Sequence, residues 1–219
     1  MSFERQSESE AVAEPTSSER RLAVRRGRML QAATIAWNSV ECIVALTAGF
    51  LAGSIALIGF GFDSAIEVTS SGAALWRLRR DSDEARREAA ERRALRVIGA
   101  CFLGLAGYVG YEAVESLVQR RPPNVSTVGM IVAALSLIVM PVLVRLKRRV
   151  ASRLRSGALE AETRQTQICA YLSAILLIGL ASNAWLGWWW ADPVAGLAMT
   201  PLIVREGWGT IRGRTWCPH

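Results

Sequence analysis

The sequence predicts an all-α polytopic membrane protein with six transmembrane helices and both termini in the cytoplasm. Three observations predict it. Apolar residues make up 51% of the 219 positions. They are gathered into blocks of about twenty, the length that roughly 30 Å of hydrocarbon requires. The 26 Lys and Arg stand mostly between those blocks and outnumber the 19 Asp and Glu, for a net charge of +7. Oil and charge kept apart in this way exclude a disordered chain, a collagen-like chain and an ordinary soluble enzyme. The basic balance does not point to nucleic acid, because the arginines flank apolar segments and form no single stripe on a soluble face.

The elements follow in order. Residues 1–19 are rich in Ser and Glu without an apolar period, which reads as a disordered tail. No apolar stretch follows the start, so this is not a signal peptide. Residues 20–28 are basic, and 1–28 together form a cytoplasmic tail. The first span covers about 29–52 and the second about 54–76, with Ala52, Gly53 and Ser54 as the turn. The third covers about 97–118 and the fourth about 126–144. The fifth covers about 167–186, with a polar extension from about Ala158, and the sixth about 189–211. The membrane domain is thus 29–212, and 213–219 form a short cytoplasmic tail.

Six crossings bring both termini to one side. Lys and Arg number five between Arg20 and Arg28, eight between Arg77 and Arg96, seven between Arg145 and Arg164, and three from Arg205 onward. The other side carries Arg120 and Arg121. The positive-inside rule puts the termini in the cytoplasm. Trp185, Trp188, Trp189 and Trp190 cluster at the outer turn between spans five and six, where tryptophan sits at headgroup level.

Four cysteines, Cys42, Cys101, Cys169 and Cys217, form no CxxC pair and no disulfide framework. Cys42 and Cys101 read as small hydrophobes. The single histidine is the last residue, His219, which excludes a His-based metal site.

Charges inside the oil carry the functional signal. Glu41 lies in span one, Asp63 and Glu67 in span two, and Glu112 and Glu115 in span three; Asp192 opens span six beside Pro193. An ionisable group at a span's centre costs about 2.5–3.5 kcal/mol on insertion. Spans one to three contain no Lys or Arg to pair with them. Asp63 and Glu67 stand at i and i+4, on one helix face, where two ionised carboxylates repel. A divalent cation would relieve that repulsion; a shared proton, or hydrogen bonds from neighbouring helices, would do so equally. In span five, Gln165, Cys169 and Ser173 share one face at four-residue steps. A deprotonated thiol suits zinc-like or cadmium-like ions, while packing and interhelical hydrogen bonding account for the same residues without a metal.

Three stretches resemble the cation diffusion facilitator family of divalent-metal exporters. They are WNSVECIVALTAGFLAGSIALIGFGFDSAIEVTSS at 37–71, AETRQTQICAYLSAILLIGL at 161–180 and WADPVAGLAM at 190–199. The resemblance implies six membrane helices with both termini inside, and ligand pairs on helices two and five. It places Asp63 and Glu67 at the second-helix ligand positions, and Gln165 and Cys169 at the fifth-helix positions. There the chain departs, since the family usually has His or Asp followed by Asp. The chain also lacks the family's usual cytoplasmic domain after helix six and the His-rich loop of many members. The implied metal site is therefore Asp63, Glu67, Gln165 and Cys169, with a water as an alternative to Gln165. The implied substrate is Zn2+, with Cd2+ favoured by the thiolate, and no organic cofactor is implied.

The implied activity is zinc- or cadmium-type efflux by proton antiport across the cell (inner) membrane: ligands must lose protons to bind metal, and protonation then ejects it. Rocking helices would expose the site to each side in turn. The partners are the lipid bilayer, the metal ion and protons. The family is dimeric, so a homodimer is expected; the small-residue spacings Ala100/Gly104 and Ala106/Gly110 permit close helix approach, within one bundle or between two. The departure at Gln165 and Cys169 also fits a non-transporting subunit of the same fold that responds to metal or binds a partner. An enzyme is not expected, because the chain shows no nucleophile–base pair, no internal His and no nucleotide loop.

Overall fold

A computed structural model describes residues 17–79, 84–154 and 157–212. They form six α-helices: α1 (Ser17–Ala52), α2 (Ile55–Arg79), α3 (Glu84–Gln119), α4 (Thr127–Leu154), α5 (Gly157–Leu186) and α6 (Ala191–Ile211). Among the described residues there is no strand.

α1, α3 and α5 end where the backbone turns left-handed, at Gly53, Arg120 and Gly187. Gly53 has φ +66°, and the Ser54 N–H reaches back to the Gly49 carbonyl at 3.0 Å. That closes α1 with the hydrogen bond of a Schellman motif, for which glycine has no Cβ to clash. Arg120, at φ 49°, ends α3 in the same way, with the Arg121 N–H on the Ser116 carbonyl at 3.1 Å.

The three turns that follow α1, α3 and α5 meet at one end of the bundle. The Asn124 N–H donates to the Ala52 carbonyl at 2.8 Å, and Asn183 Nδ2 donates to the Pro123 carbonyl at 3.2 Å. Ser54 Oγ and the Ile55 N–H both donate to the Asp192 carboxylate, the second at 3.0 Å. Successive helices therefore run antiparallel, and the N-terminal start of α1 and the end of α6 lie at the opposite end.

α2 sits at the centre, packed against α1, α3, α5 and α6; α1 also packs on α4, α4 on α5, and α3 and α6 on each other. The α3–α6 crossing is the tightest backbone approach. A Cβ on Gly99 would stand 2.7 Å from the Gly207 carbonyl oxygen, and one on Gly207 2.9 Å from the Gly99 carbonyl oxygen. The spacings expected to permit close approach take little part in it: nothing lies within 4 Å of a Cβ on Gly104, and only the Thr200 side chain lies near one on Gly110.

Buried positions on α1 include the run 31, 34, 38, 41, 45, 48 and 52, and those on α5 include 159, 162, 166, 169, 173, 176, 180 and 183. This alternation of three and four is the seam that each helix turns towards the neighbours packed on it, α2 and α4 for α1, and α2, α4 and α6 for α5. The outward faces are apolar: Ile43, Ile138 and Ile178 are 67%, 66% and 67% exposed. An apolar surface so broad belongs against lipid. Three stretches are long and apolar enough to cross a membrane, Arg21–Ala52, Thr127–Leu154 and Glu162–Leu186. The protein is a multi-pass membrane protein.

Two expectations are corrected. α1 begins at Ser17, so residues 17–28 of the expected tail are helical. The region between spans four and five is likewise helix on both sides of residues 155–156, and Lys147 is 1% exposed instead of lying in a solvated loop. Residues 1–16 and 213–219, with Cys217 and His219, lie outside the described residues.

Candidate functional site

The seam of α1 changes character half-way. Towards the end where the chain begins it presents Gln31, Thr34, Asn38 and Glu41; towards the other end it presents Ala45, Ala48 and Ala52. The partner helices match this division. Ser64, Glu67 and Ser71 on α2, Ser136 and Lys147 on α4, and Glu162, Thr166, Cys169 and Ser173 on α5 are all buried. Beyond them lie Leu57, Phe60, Ala133, Leu176 and Leu180. A polar column thus runs from the bundle's middle to the terminal end, under an apolar plug.

Three carboxyl groups and a thiol line the top of the column. Asp63, Glu67 and Cys169 are buried, as is Glu41. The Cys169 thiol lies 3.9 Å from Glu41 Oε1. Glu41 is held by its neighbours: Ser64 Oγ donates to Oε1 at 2.6 Å, and Trp37 Nε1 donates to Oε2 at 2.9 Å. Glu67 Oε1 accepts from Thr166 Oγ1 at 2.7 Å, while its Oε2 is buried with no partner. Ser173 Oγ, one turn beyond Cys169, bonds Ser136 Oγ at 3.0 Å and so ties α5 to α4.

Below this cluster Lys147 donates to Glu162 Oε1 and, at 3.0 Å, to Thr166 Oγ1. Glu162 also accepts from Ser71 Oγ at 2.8 Å and from Gln31 Nε2 at 2.6 Å. One carboxylate thereby joins α1, α2, α4 and α5. Among the described residues Lys147 is the one buried basic side chain, set against the buried carboxyl groups of Glu41, Asp63, Glu67 and Glu162. The column is therefore poor in positive charge.

Of the four expected site residues, Asp63 and Glu67 are buried on α2 and Cys169 on α5, two helices that pack on each other. Gln165 lies beside them on α5, half-buried, with its Nε2 buried and unpartnered. Among the described residues no three His, Cys, Asp or Glu side chains converge closely enough to hold a metal ion as they stand. The other in-span acids have separate places. Asp192 caps the start of α2, and Glu115 accepts from Gln119 Nε2 at 2.6 Å and pairs with Arg121 at 3.8 Å. Cys42 is half-buried and Cys101 exposed, both as free thiols. Trp188 and Trp190 stack at 5.1 Å in the turn before α6, and Trp185, in the last turn of α5, is 83% exposed.

Sequence reasoning missed Lys147, Glu162 and Thr166. Lys147 and Glu162 share one midpoint in the sequence, between 154 and 155, with Ser136 and Ser173, as apposed pairs on two antiparallel helices must. That symmetry was the available signal.

Comparison with known proteins gives a consistent picture. A family model described as the cation efflux transmembrane domain matches residues 32–214. An uncharacterized transporter of Synechocystis is 26% identical over 168 residues, covering 74% of this chain and 54% of that protein. The cation-efflux pump FieF of Shewanella oneidensis is 27% identical over 110 residues, 50% of this chain and 35% of the pump. A cadmium, cobalt and zinc/H(+)-K(+) antiporter of Bacillus subtilis is 28% identical over 121 residues, 52% of this chain and 36% of the antiporter. The chain spans about half the length of these relatives, or less.

Proposed function

The chain belongs to the cation efflux transmembrane domain family, that of the cation diffusion facilitators, and from that premise we propose that it exports a divalent metal cation of the zinc or cadmium type. The observation that carries this reading is the burial of Asp63 and Glu67 on α2 and of Cys169 on α5, the helix packed against it, with Glu67 Oε2 buried and unpartnered. An acceptor without a donor in a dry interior is costly, and a cation is what offsets that cost. The cargo takes Asp63, Glu67 and Cys169 as ligands, with Gln165 Oε1 or a water completing four-coordination. Two ligands of one tetrahedral zinc, one sulfur and one oxygen, stand about 3.5 Å apart. The 3.9 Å between Cys169 Sγ and Glu41 Oε1 is a small rotamer change from that value. Glu41 is thus in reach of the same ion.

The ligands bind metal only after losing protons, so cation entry releases protons and protonation expels the cation. This supports proton antiport. All six helices span the cell (inner) membrane, with both termini in the cytoplasm, where the basic segments face the anionic leaflet. The polar column then opens towards the cytoplasm and the apolar plug faces outward. The working unit is a homodimer.

The test is zinc and cadmium uptake into proteoliposomes under an imposed pH gradient, with Asp63→Ala as the blank. Flux that needs both the gradient and Asp63 supports the reading. Normal flux in folded Asp63→Ala removes the site, and no flux in the wild type removes the activity.

A further inference from the structure

Lys147, Thr166 and Glu67 form a directional chain whose first two members stand outside the expected ligand set. An ammonium can only donate. Lys147 gives one proton to Glu162 and one to Thr166 Oγ1, at 3.0 Å for the second. A threonine hydroxyl has a single proton of its own. Its 2.7 Å contact to Glu67 Oε1 is much shorter than its 3.3 Å contact to its own helix at the Glu162 carbonyl. The proton therefore goes to Glu67. The lysine thus fixes which oxygen of Glu67 is engaged, and leaves Oε2 as the buried oxygen without a partner.

We propose that Lys147, acting through Thr166, is a positioning residue that orients Glu67 and holds the affinity for the transported cation low enough for release. The proposal rests on the cation-export reading above. Its two effects have opposite signs. The hydrogen bond through Thr166 preorganises Glu67 and favours binding. The tethered positive charge, one hydroxyl away, repels a divalent cation in a medium of low dielectric and disfavours it. A transport site needs that balance, since a cation held too tightly does not leave. Glu162, shared among Lys147, Ser71 and Gln31, anchors the ammonium so that it cannot swing up and occupy the site itself.

The experiment measures Cd2+ and Zn2+ binding by titration calorimetry on the purified full chain in detergent, at fixed pH and ionic strength. Cation flux in proteoliposomes is read alongside. Lys147→Gln removes the charge and keeps a donor, so affinity rises about tenfold, some 1.4 kcal/mol, while maximal flux falls. Thr166→Val removes the hydroxyl at similar size, and affinity falls several-fold. Damage to the fold weakens binding in both variants and cannot move them in opposite directions. Glu162 unpaired by the first substitution could prevent folding, so Lys147→Gln/Glu162→Gln removes the pair together; it is expected to tighten binding by less than the single variant, because the attraction of the Glu162 carboxylate leaves with the repulsion of the nearer ammonium. Unchanged or weaker binding in folded lysine variants overturns the proposal. Wild-type protein that binds cation in an Asp63-dependent way, with lysine variants that match it, overturns the relay alone. A wild type that binds neither cation overturns the export reading and the relay with it.

Discussion

Asp192 illustrates how a charge in an apolar chain is accounted for by the fold. Its carboxylate accepts Ser54 Oγ and the Ile55 N–H, and it sits at the N-terminus of α2, where four backbone N–H groups lack helical partners. Replacing Asp192 with Ala removes two hydrogen bonds to a charged group, each contributing about 1.5–3 kcal/mol. It also removes the attraction to the helix terminus, about 0.3–1 kcal/mol. Ser54 is fully buried, but it keeps one bond, accepting from the Leu57 N–H at 3.2 Å. Ile55 is half-buried, so water recovers part of its loss. The net cost of Asp192→Ala is therefore about 3–4 kcal/mol. Asp192→Asn is milder, about 1 kcal/mol. Its carbonyl keeps the Ile55 N–H, and its amide donates to a Ser54 oxygen that can reorient its own proton. The assay is reversible unfolding in mixed micelles, followed by tryptophan fluorescence, to which the Trp188–Trp190 stack close by contributes. An alanine variant within 1 kcal/mol of wild type, or an asparagine variant as unstable as the alanine one, would refute the capping argument.

Other outcomes follow from the same geometry. Cys169→Ser exchanges a soft ligand for a harder one and lowers the preference for cadmium over zinc; competitive uptake of the two ions measures it, and an unchanged ratio demotes Cys169 to packing. Gly207→Ala places a Cβ 2.9 Å from the Gly99 carbonyl oxygen and 2.8 Å from Phe102 Cβ. Backbone cannot yield there as a side-chain tip does, so the α3–α6 crossing loses about 1–3 kcal/mol in the same unfolding assay, whereas Gly104→Ala, in open space, is near neutral. Tags at the two termini should both be digested from the cytoplasmic face; protection of one alone would break the six-span topology.

Much of this arrangement is written in the spacing of the residues. The apolar blocks locate all six helices, and the i, i+4 pair of Asp63 and Glu67 locates the inner face of α2. Span length is where the reading falls short. Hydrocarbon thickness fixes how much helix must be apolar and says nothing of how far a helix continues past the lipid. α4 continues to Leu154 and α5 begins at Gly157, so a residue counted among loop cations turns out to be the buried Lys147. Glu41 stood out as an ionisable group in span one, but its proximity to Cys169 is a contact across 128 positions of sequence. Periodicity gives the phase of each helix. It does not give the pairing of helices, which is why Gly99 and Gly207 were not singled out while Ala100 and Gly104 were.

The hydrogen bonds at the two ends of the bundle differ in kind, and this sets where the molecule can bend. At one end every connection is laced to another: Ala52 to Asn124, Pro123 to Asn183, and Ser54 and Ile55 to Asp192. These bonds run largely to backbone and do not depend on what the bundle carries. At the other end four helices are gathered on one carboxylate, Glu162, and one ammonium, Lys147. The stiffness of the bundle is thus graded along its axis, like tongs riveted at the tip. Any splaying of the helices pivots at the laced end and is widest where a single charge pair acts as the clasp.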